Sequence, residues 1–443
     1  MPREMKESGI EWIGEIPEDW EVRRIKTLFQ LRNEKSFKPL NEVNLISLYT
    51  DKGVLQHSDI EYVAGNKASN ADGYKCVYEE DIVVNIILCW MGAIGRSSYN
   101  GVTSPAYDIY KPNVCTNSSF YHYYFRTTGF NGECFQRGRG IMLMRWRTYS
   151  EDFMDIKVCY PPLVEQQKIA DFLDKKCSEI DSVISKTRGT IEEYKKLKQS
   201  IITEVVTGKV KIENEKACGK YDTYKDSGIE WIGEIPSEWE VKPIKALFSF
   251  GKGLPITKDN LTETGLSVIS YGQIHSKNNI GTEIRNELIR YVDKIYYETN
   301  PQSLVHKGDF IFADTSEDLE GCGNFVYVNR EEVLFAGYHT IILFSKEKND
   351  NKYLAYLFQT DCWRRQIRCC CSGVKLFSIS RRILGSTNLI LPSILEQQQI
   401  SDFLDQKCSE IDKLITKKEQ IVVELEAYKK SLIYEVVTGK RSV

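Results

Sequence analysis

The feature that most restricts this chain is that it repeats itself at long range. Residues 8–31 begin SGIEWIGEIPEDWEV and residues 227–250 begin SGIEWIGEIPSEWEV, with 17 identities in 24 positions. Residues 165–209 and 396–440 share 26 of 45, opening on EQQKIADFLDKKCSEID and EQQQISDFLDQKCSEID. Both of these blocks close on the same six residues, Glu204–Lys209 and Glu435–Lys440. The first pair is offset by 219 residues and the second by 231, so the second half is 12 residues longer between its blocks. The stretches between, about 38–160 and 257–391, show little mutual similarity. Short repeats stack into solenoids, but two units of this size cannot. The chain is a duplicated module: one frame, repeated, holding two different inserts.

The second repeated block reads as a long helix. Pro161-Pro162 and Pro392 precede it and Gly208 and Gly439 follow, the usual punctuation of helix ends. Between them apolar residues recur at alternating steps of four and three. In the first copy the stripe is Ile169, Leu173, Ile180, Ile184, Ile191, Tyr194, Ile201 and Val205, with Cys177 and Thr187 at intermediate steps. In the second it is Ile400, Leu404, Ile411, Ile415, Val422, Leu425, Leu432 and Val436, with Cys408 and Lys418. A heptad stripe with charged flanks predicts a coiled coil. Lys198 and Lys429 are expected to weaken its seam at one shared level, and Gly189 costs the first helix about 1 kcal/mol relative to alanine. Two such stripes in one chain favour pairing with each other. With short linkers the pair must run antiparallel, one domain at each end, as a dumbbell of approximate two-fold symmetry. Helices of about 43 residues would be about 65 Å long.

The first repeated block reads as a short helical or looped segment around Ile10–Ile16, a proline turn, and a helix or strand carrying Ile25, Leu28 and Phe29. Trp12, Trp20, Trp231 and Trp239 recur in both halves, whose inserts differ, which favours core anchoring over ligand binding. Within the inserts, Asp81–Leu88, Gly308–Ala313, Phe325–Val328 and Thr340–Phe344 suit strands, being rich in β-branched and aromatic residues. Tyr121–Arg126 and Tyr353–Phe358 suit short helices. Each insert is therefore expected to be a compact α+β domain around a partly antiparallel sheet.

Composition removes several classes of function. The 13 cysteines are odd in number, include the run Cys369, Cys370, Cys371, and contain no Cys-x-x-Cys pair. They read as reduced thiols of a cytoplasmic protein, neither a disulfide framework nor a zinc site. No apolar run reaches the roughly 18 residues of a membrane span, and the first residues lack the apolar core of a secretory signal. There is no phosphate-binding loop: Thr207-Gly208-Lys209 and Thr438-Gly439-Lys440 lack the earlier glycine. The five histidines are scattered, and the acidic cluster Asp314, Glu317, Asp318 and Glu320 reads as a solvated loop. The expectation is a chain with no catalytic residues, no metal and no cofactor of its own.

A net charge of −3 leaves nucleic-acid contact to local patches. Two exist. Arg126, Arg137, Arg139, Arg145 and Arg147 stand against one acid, Glu133, with Phe130, Phe135 and Trp146 among them. Arg364, Arg365, Arg368, Lys375, Arg381 and Arg382 stand against none, with Phe377 among them. Both patches lie shortly before the long helix of their own half. Arginine serves phosphate oxygens and, bidentately, guanine edges, so duplex DNA is the expected ligand.

With the repeats in view, the chain resembles the specificity subunit of type I restriction–modification systems. The resemblance rests on P-x-x-x-E-Q-x-x-I-x-x-F-L-D at Pro161–Asp174 and Pro392–Asp405, on G-I-E-W-I-G-E-I-P at Gly9–Pro17 and Gly228–Pro236, and on their order around two inserts. It implies two target recognition domains separated by an antiparallel two-helix coiled coil. The domains would span 1–163 and 225–394, the helices 164–207 and 395–438, the linker 208–224 and the tail 439–443. Each domain would read one half of a bipartite, asymmetric site. The helices would set the gap, at most about 19 base pairs for a 65 Å rod at roughly 3.4 Å per pair, and dock two modification (methyltransferase) subunits. S-adenosylmethionine, ATP and Mg would belong to those subunits and to separate restriction (translocase and endonuclease) subunits. The rival readings are a free-standing bipartite DNA-binding protein or repressor, and a non-DNA scaffold joined by its coiled coil.

Overall fold

The structure, a computed structural model, describes residues 3–50, 52–59, 72–141, 146–346, 349–373 and 375–443. It divides into two compact units, Met1–Arg188 with Glu419–Val443, and Gly189–Lys418.

In the first unit the opening block is a β-hairpin, Met5–Glu7 against Glu15–Pro17, so that Ile10–Gly14 is looped, as one of the two readings had it, and not helical. Gly9 and Gly14 take positive φ in its loop, at 68° and 71°. Glu21–Arg24 then pairs with Lys157–Tyr160, one turn of helix follows at Ile25–Leu28, and Phe29–Arg32 enters the main sheet. That sheet runs Ile94–Arg96, Ile82–Asn85, Tyr107–Pro112, Phe29–Arg32, antiparallel throughout. Successive side chains of a strand point to opposite faces. Ile82 and Val84 accordingly join the core beneath the helices Ser118–Tyr124 and Thr128–Arg137. Val83 and Ile109 meet Ile46, Leu48 and Val54 of the hairpin Ile46–Tyr49/Gly53–Gln56 on the other face. A strand covered on both faces reads as a continuous apolar run, which is why Asp81–Leu88 is so conspicuous in the sequence.

The second unit repeats the frame of this arrangement. Its sheet runs Phe325–Tyr327, Phe310–Ala313, Thr340–Ser345, Phe248–Lys252, again antiparallel. Helices Asn351–Gln359, Asp361–Arg368 and Arg381–Gly385 follow in the order of Ser118–Tyr124, Thr128–Arg137 and Ser150–Met154. Glu240–Pro243 pairs with Asn388–Leu391 as Glu21–Arg24 pairs with Lys157–Tyr160. Inserts with little sequence in common therefore share one frame. Outside it they differ. The first unit adds a three-stranded sheet of Gly101–Thr103, Tyr74–Val77 and Lys35–Ser36. The second adds a five-stranded sheet containing a parallel pair, Leu266–Ile269 with Leu334–Ala336.

Residues 208–224 are not a bare connection. Lys211–Glu213 and Lys216–Gly219 form a hairpin whose two turn residues, Asn214 and Glu215, both take positive φ, and Ile212 is buried in the core of the second unit.

The long helices are Leu163–Val206 and Ile394–Val437, 44 residues each, starting one residue earlier than the repeat suggests. Within the first unit their segments run antiparallel: Asp181 pairs with Lys429 at 2.6 Å, and further along the first helix Arg188 pairs with Glu426 at 2.7 Å. Within the second unit they again run antiparallel, with Tyr194 beneath Lys418 and Lys198 paired to Asp412 at 2.7 Å. Every stripe residue named above is buried or half-buried. The seam lysines are a correction to the sequence reading. Lys198 and Lys429 do not interrupt the helix pair; each crosses to an aspartate, and the two aspartates are repeat equivalents. Such partly exposed pairs contribute only about 0.2–1 kcal/mol each, but a pairing that fits one register disfavours the others.

Gly189 lies exposed in the first helix, and a Cβ added there would meet nothing within 4 Å. Gly189→Ala is expected to stabilise the chain by about 0.5–1 kcal/mol, read as a higher denaturant midpoint with an unchanged slope.

Candidate nucleic-acid interface

Each unit is braced by a set of contacts built from the repeated motifs. The Glu165 carboxylate accepts a hydrogen bond from the buried indole of Trp20 (Nε1 to Oε2, 3.0 Å) and is gripped by Arg3. Glu396 does the same for Trp239 at 3.2 Å, with the Tyr221 hydroxyl as its second donor. The neighbouring glutamine is a bridge. Gln166 accepts from the backbone N–H of Asn117 (2.9 Å) and donates to the carbonyl of Pro161 (2.8 Å). Gln397 accepts from Asp350 N–H (3.0 Å) and donates to Pro392 (2.9 Å). Asn117 and Asp350 are themselves the N-caps of the helices Ser118–Tyr124 and Asn351–Gln359. The motif aspartates complete the set, Asp174 accepting from Tyr123 and Asp405 from Tyr356, both at 2.7 Å.

The closing glycines are required by close approach. A Cβ on Gly208 would lie 2.3 Å from Cδ of Pro236, and one on Gly439 the same distance from Cδ of Pro17, each also against the adjoining tryptophan. Both glycines take positive φ, 71° and 73°, which glycine adopts without steric cost. The repeated motifs are thus structural. Within each unit they tie helix, sheet and opening block together, so the surfaces that differ are held on matching supports.

The basic residues separate into two groups. Arg126 donates to the carbonyls of Ile94 (3.1 Å) and Thr50 (3.0 Å), tying the sheet edge to the neighbouring hairpin. His122 beside it accepts from Arg96 N–H at 3.1 Å; burial, with Arg126 and Arg96 close by, pushes its pKa down to about 3, so the ring is neutral. Arg364 donates to the Phe358 carbonyl and to Asn324, at 2.8 and 2.7 Å, and burial pulls its pKa down to about 10. Arg368 reaches Asp361 and the Glu320 carbonyl. These guanidiniums hold loops of their own unit together. Arg137 is half-buried against Glu133.

The remaining groups are exposed: Arg139, Arg147, Arg365, Lys375, Arg381 and Arg382. Arg139 pairs with Asp152 and Arg365 with Asp361, both at 2.7 Å. Arg145 lies outside the described residues. All of the exposed groups except Arg365 sit on or just after one connection of the frame, which leaves the second short helix. It is closed by a backbone bridge in both units, Arg139↔Arg147 and Ser372↔Ser378. It is also pinned to the end of the central strand in both, by Thr148 N–H to Ile86 O (2.9 Å) and Ile379 N–H to Asp314 O (2.7 Å).

The sequence reads the acidic part of the loop that leaves the second unit's central strand as solvated surface and gives no role to its counterpart in the first unit. The loop carries Leu88, Trp90 and Met91 in the first unit, and Glu317, Asp318, Leu319 and Glu320 in the second. In the first unit the signal is the end of the apolar run at Cys89-Trp90-Met91-Gly92. The acidic group is a loop: Asp314 faces His339 at 3.3 Å and Asp318 accepts from Gly321 N–H. Among the described residues no group of three or more His, Cys, Asp or Glu side chains could hold a metal ion, and no helix is long and apolar enough to cross a membrane.

Residues 17–193 and 236–425 match the family described as Type I restriction modification DNA specificity domain. The chain is 24% identical to the type I restriction enzyme MjaVIII specificity subunit of Methanocaldococcus jannaschii over 436 residues, covering 96% of this chain and 93% of the relative. It is 20% identical to the EcoKI specificity subunit of Escherichia coli, covering 87% and 82%. A chain from a structural study of type I R-M complex assembly and conformational transition superposes with a TM-score of 0.70 at 13% identity, covering 96% of this chain and 99% of that one. The HsdS subunit from Thermoanaerobacter tengcongensis gives 0.51 at 13% identity, covering 96% and 98%.

The bridging glutamines provide the sharpest test of the positioning scheme. Gln166→Leu and Gln397→Leu each strand a buried N–H and a buried carbonyl, and each is expected to destabilise its own unit by about 1–3 kcal/mol. Hydrogen exchange resolved by unit checks that the loss is confined to the unit mutated.

Proposed function

Because this chain belongs to the family of type I restriction modification DNA specificity domains, we propose that it is the specificity subunit of a type I restriction–modification complex. Each unit reads one half of a bipartite, asymmetric DNA target. The observation that carries this reading is one supporting frame, built twice with the same hydrogen bonds, presenting two unlike surfaces. Duplex DNA has local two-fold symmetry, so a protein with repeated frames offers each groove segment an equivalent support. Unlike surfaces on those supports then select unlike half-sites.

The chain contributes recognition, and catalysis comes from its partners. The long helices set the gap between half-sites and dock two methyltransferase subunits, which bring S-adenosylmethionine. Restriction subunits bring ATP- and Mg-dependent translocation and cleavage. Two copies of one partner need the same surface twice, and the helices carry exposed apolar residues in repeat-equivalent pairs: Leu163 and Ile394, Val164 and Leu395, Val183 and Leu414, Leu197 and Tyr428. Exposed apolar groups recurring at matched positions are what a duplicated docking surface requires.

Deleting the chain is expected to remove one bipartite methylation motif from the methylome of its host. Replacing residues 38–160 by the corresponding insert of another family member should change one half-site and leave the other intact; a change in both, or in neither, sinks the modular reading. Binding of the assembled complex to its target should weaken steeply with salt, as phosphate neutralisation demands. For docking, Val164→Asp and Leu395→Asp should each reduce the methyltransferase content from two copies to one, measured by native mass spectrometry.

A further inference from the structure

The first unit carries an aromatic stack that runs from its core, where Trp90 packs, out to the solvent-exposed ring of Phe135. Trp90 and Phe135 lie with ring centroids 5.5 Å apart, and Phe135 and Trp146 stack at 5.2 Å with 25° between their planes. The stack is fixed in place. Trp146 Nε1 donates to the Phe135 carbonyl at 2.9 Å, and the indole lies so close to Gly138 that a Cβ there would be 2.2 Å from Nε1. Two apolar side chains, on the loop that carries Trp90 and on the connection that leads to Trp146, are open to solvent: Met91 is 52% exposed and Ile141 99%. Arg147 leaves the same connection and is exposed, with Arg139 paired to it through the backbone. Exposed aromatic and apolar groups next to an exposed arginine are costly as mere surface and suit a binding site. Its charge suits a polyanion.

The same place on the second unit has different chemistry. There the loop after the central strand carries Glu317, Asp318 and Glu320, and the bridged connection carries Lys375 and Leu376, all exposed. Backbone bonds at equivalent positions hold both versions. A role in stability would keep one chemistry on one frame. Divergence at matched places on one frame fits contact with two different sequences.

We infer that Trp90, Met91, Phe135, Ile141, Trp146 and Arg147 form the base-reading surface of the first unit, set against the major groove of duplex DNA. This rests on the specificity-subunit reading and assigns its residues. The apolar members meet thymine methyl groups and base edges, and Arg147 meets a guanine edge, the contacts by which such side chains discriminate bases. Arg126, whose guanidinium is spent on two carbonyls, belongs to the support instead.

The test is methylome sequencing of cells whose chain carries Arg147→Gln, Arg147→Lys or Met91→Ala. Arg147→Lys and Met91→Ala are expected to relax methylation at one position of one half-site, roughly ten- to a hundredfold relative to the parent, with the other half-site unchanged. Arg147→Gln should do the same. An unchanged motif in all three variants overturns the assignment. So does a uniform loss of methylation with Arg147→Gln while Arg147→Lys and Met91→Ala keep the parental motif, since that is phosphate contact or misfolding and not base reading. If the parental cells lose no bipartite motif when the chain is deleted, the specificity-subunit reading itself has failed, which is a separate result.

Discussion

A glutamine side chain with no access to water stands at the start of each long helix, and the rest of the architecture depends on its bonds being made. Gln166 and Gln397 are 0% and 1% exposed. Burying an amide without partners costs about 1–3 kcal/mol by protein mutational scales, so each position is tolerable only where both partners arrive. Those partners come from different elements: the proline carbonyl before the long helix and the cap residue of the helix that covers the sheet. Satisfying one side chain therefore docks one element on another. The adjacent glutamate extends the same logic to the opening block through its tryptophan.

This arrangement explains how one chain reconciles stability with diversity. Everything that holds a unit together lies in the repeated blocks or in the strands and helices they contact. The central strands need only apolar side chains on both faces, a loose demand that Ile82–Asn85 and Phe310–Ala313 meet with different residues. Loops leaving the central strands anchor themselves through a buried cysteine, Cys89 in one unit and Cys322 in the other, so their exposed side chains can change sign without unfolding the frame. Exposed Leu88 and Met91 on one unit, against exposed Glu317 and Asp318 on the other, illustrate that freedom. Binding groups on loops over a rigid scaffold are a general solution to the same problem.

The helix pair adds a second layer of specification. Apolar stripes alone tolerate slippage by a heptad, because one isoleucine resembles another. The two lysine–aspartate pairs fit only the observed antiparallel register, and because they are repeat equivalents they set it once in each unit.

How much of this was legible follows from the range of each interaction. The duplication, the long helices, the stripe residues and the expectation of DNA contact are all present in the sequence, because periodicity and motif spacing are local or exactly repeated. The positions of the central strands and of the covering helices were legible too, since strongly apolar segments announce themselves. Three things were decided only by tertiary structure. Two inserts with little common sequence have the same sheet order, because sheet order depends on pairings between segments far apart in the chain. The seam lysines are partnered rather than defective, because Asp181 and Asp412 lie on the facing helix and not beside them in sequence. And the arginine clusters divide into groups that hold loops and groups that face solvent, because a carbonyl able to capture a guanidinium, as Ile94 and Thr50 capture Arg126, is brought there by the fold and leaves no trace in the order of residues.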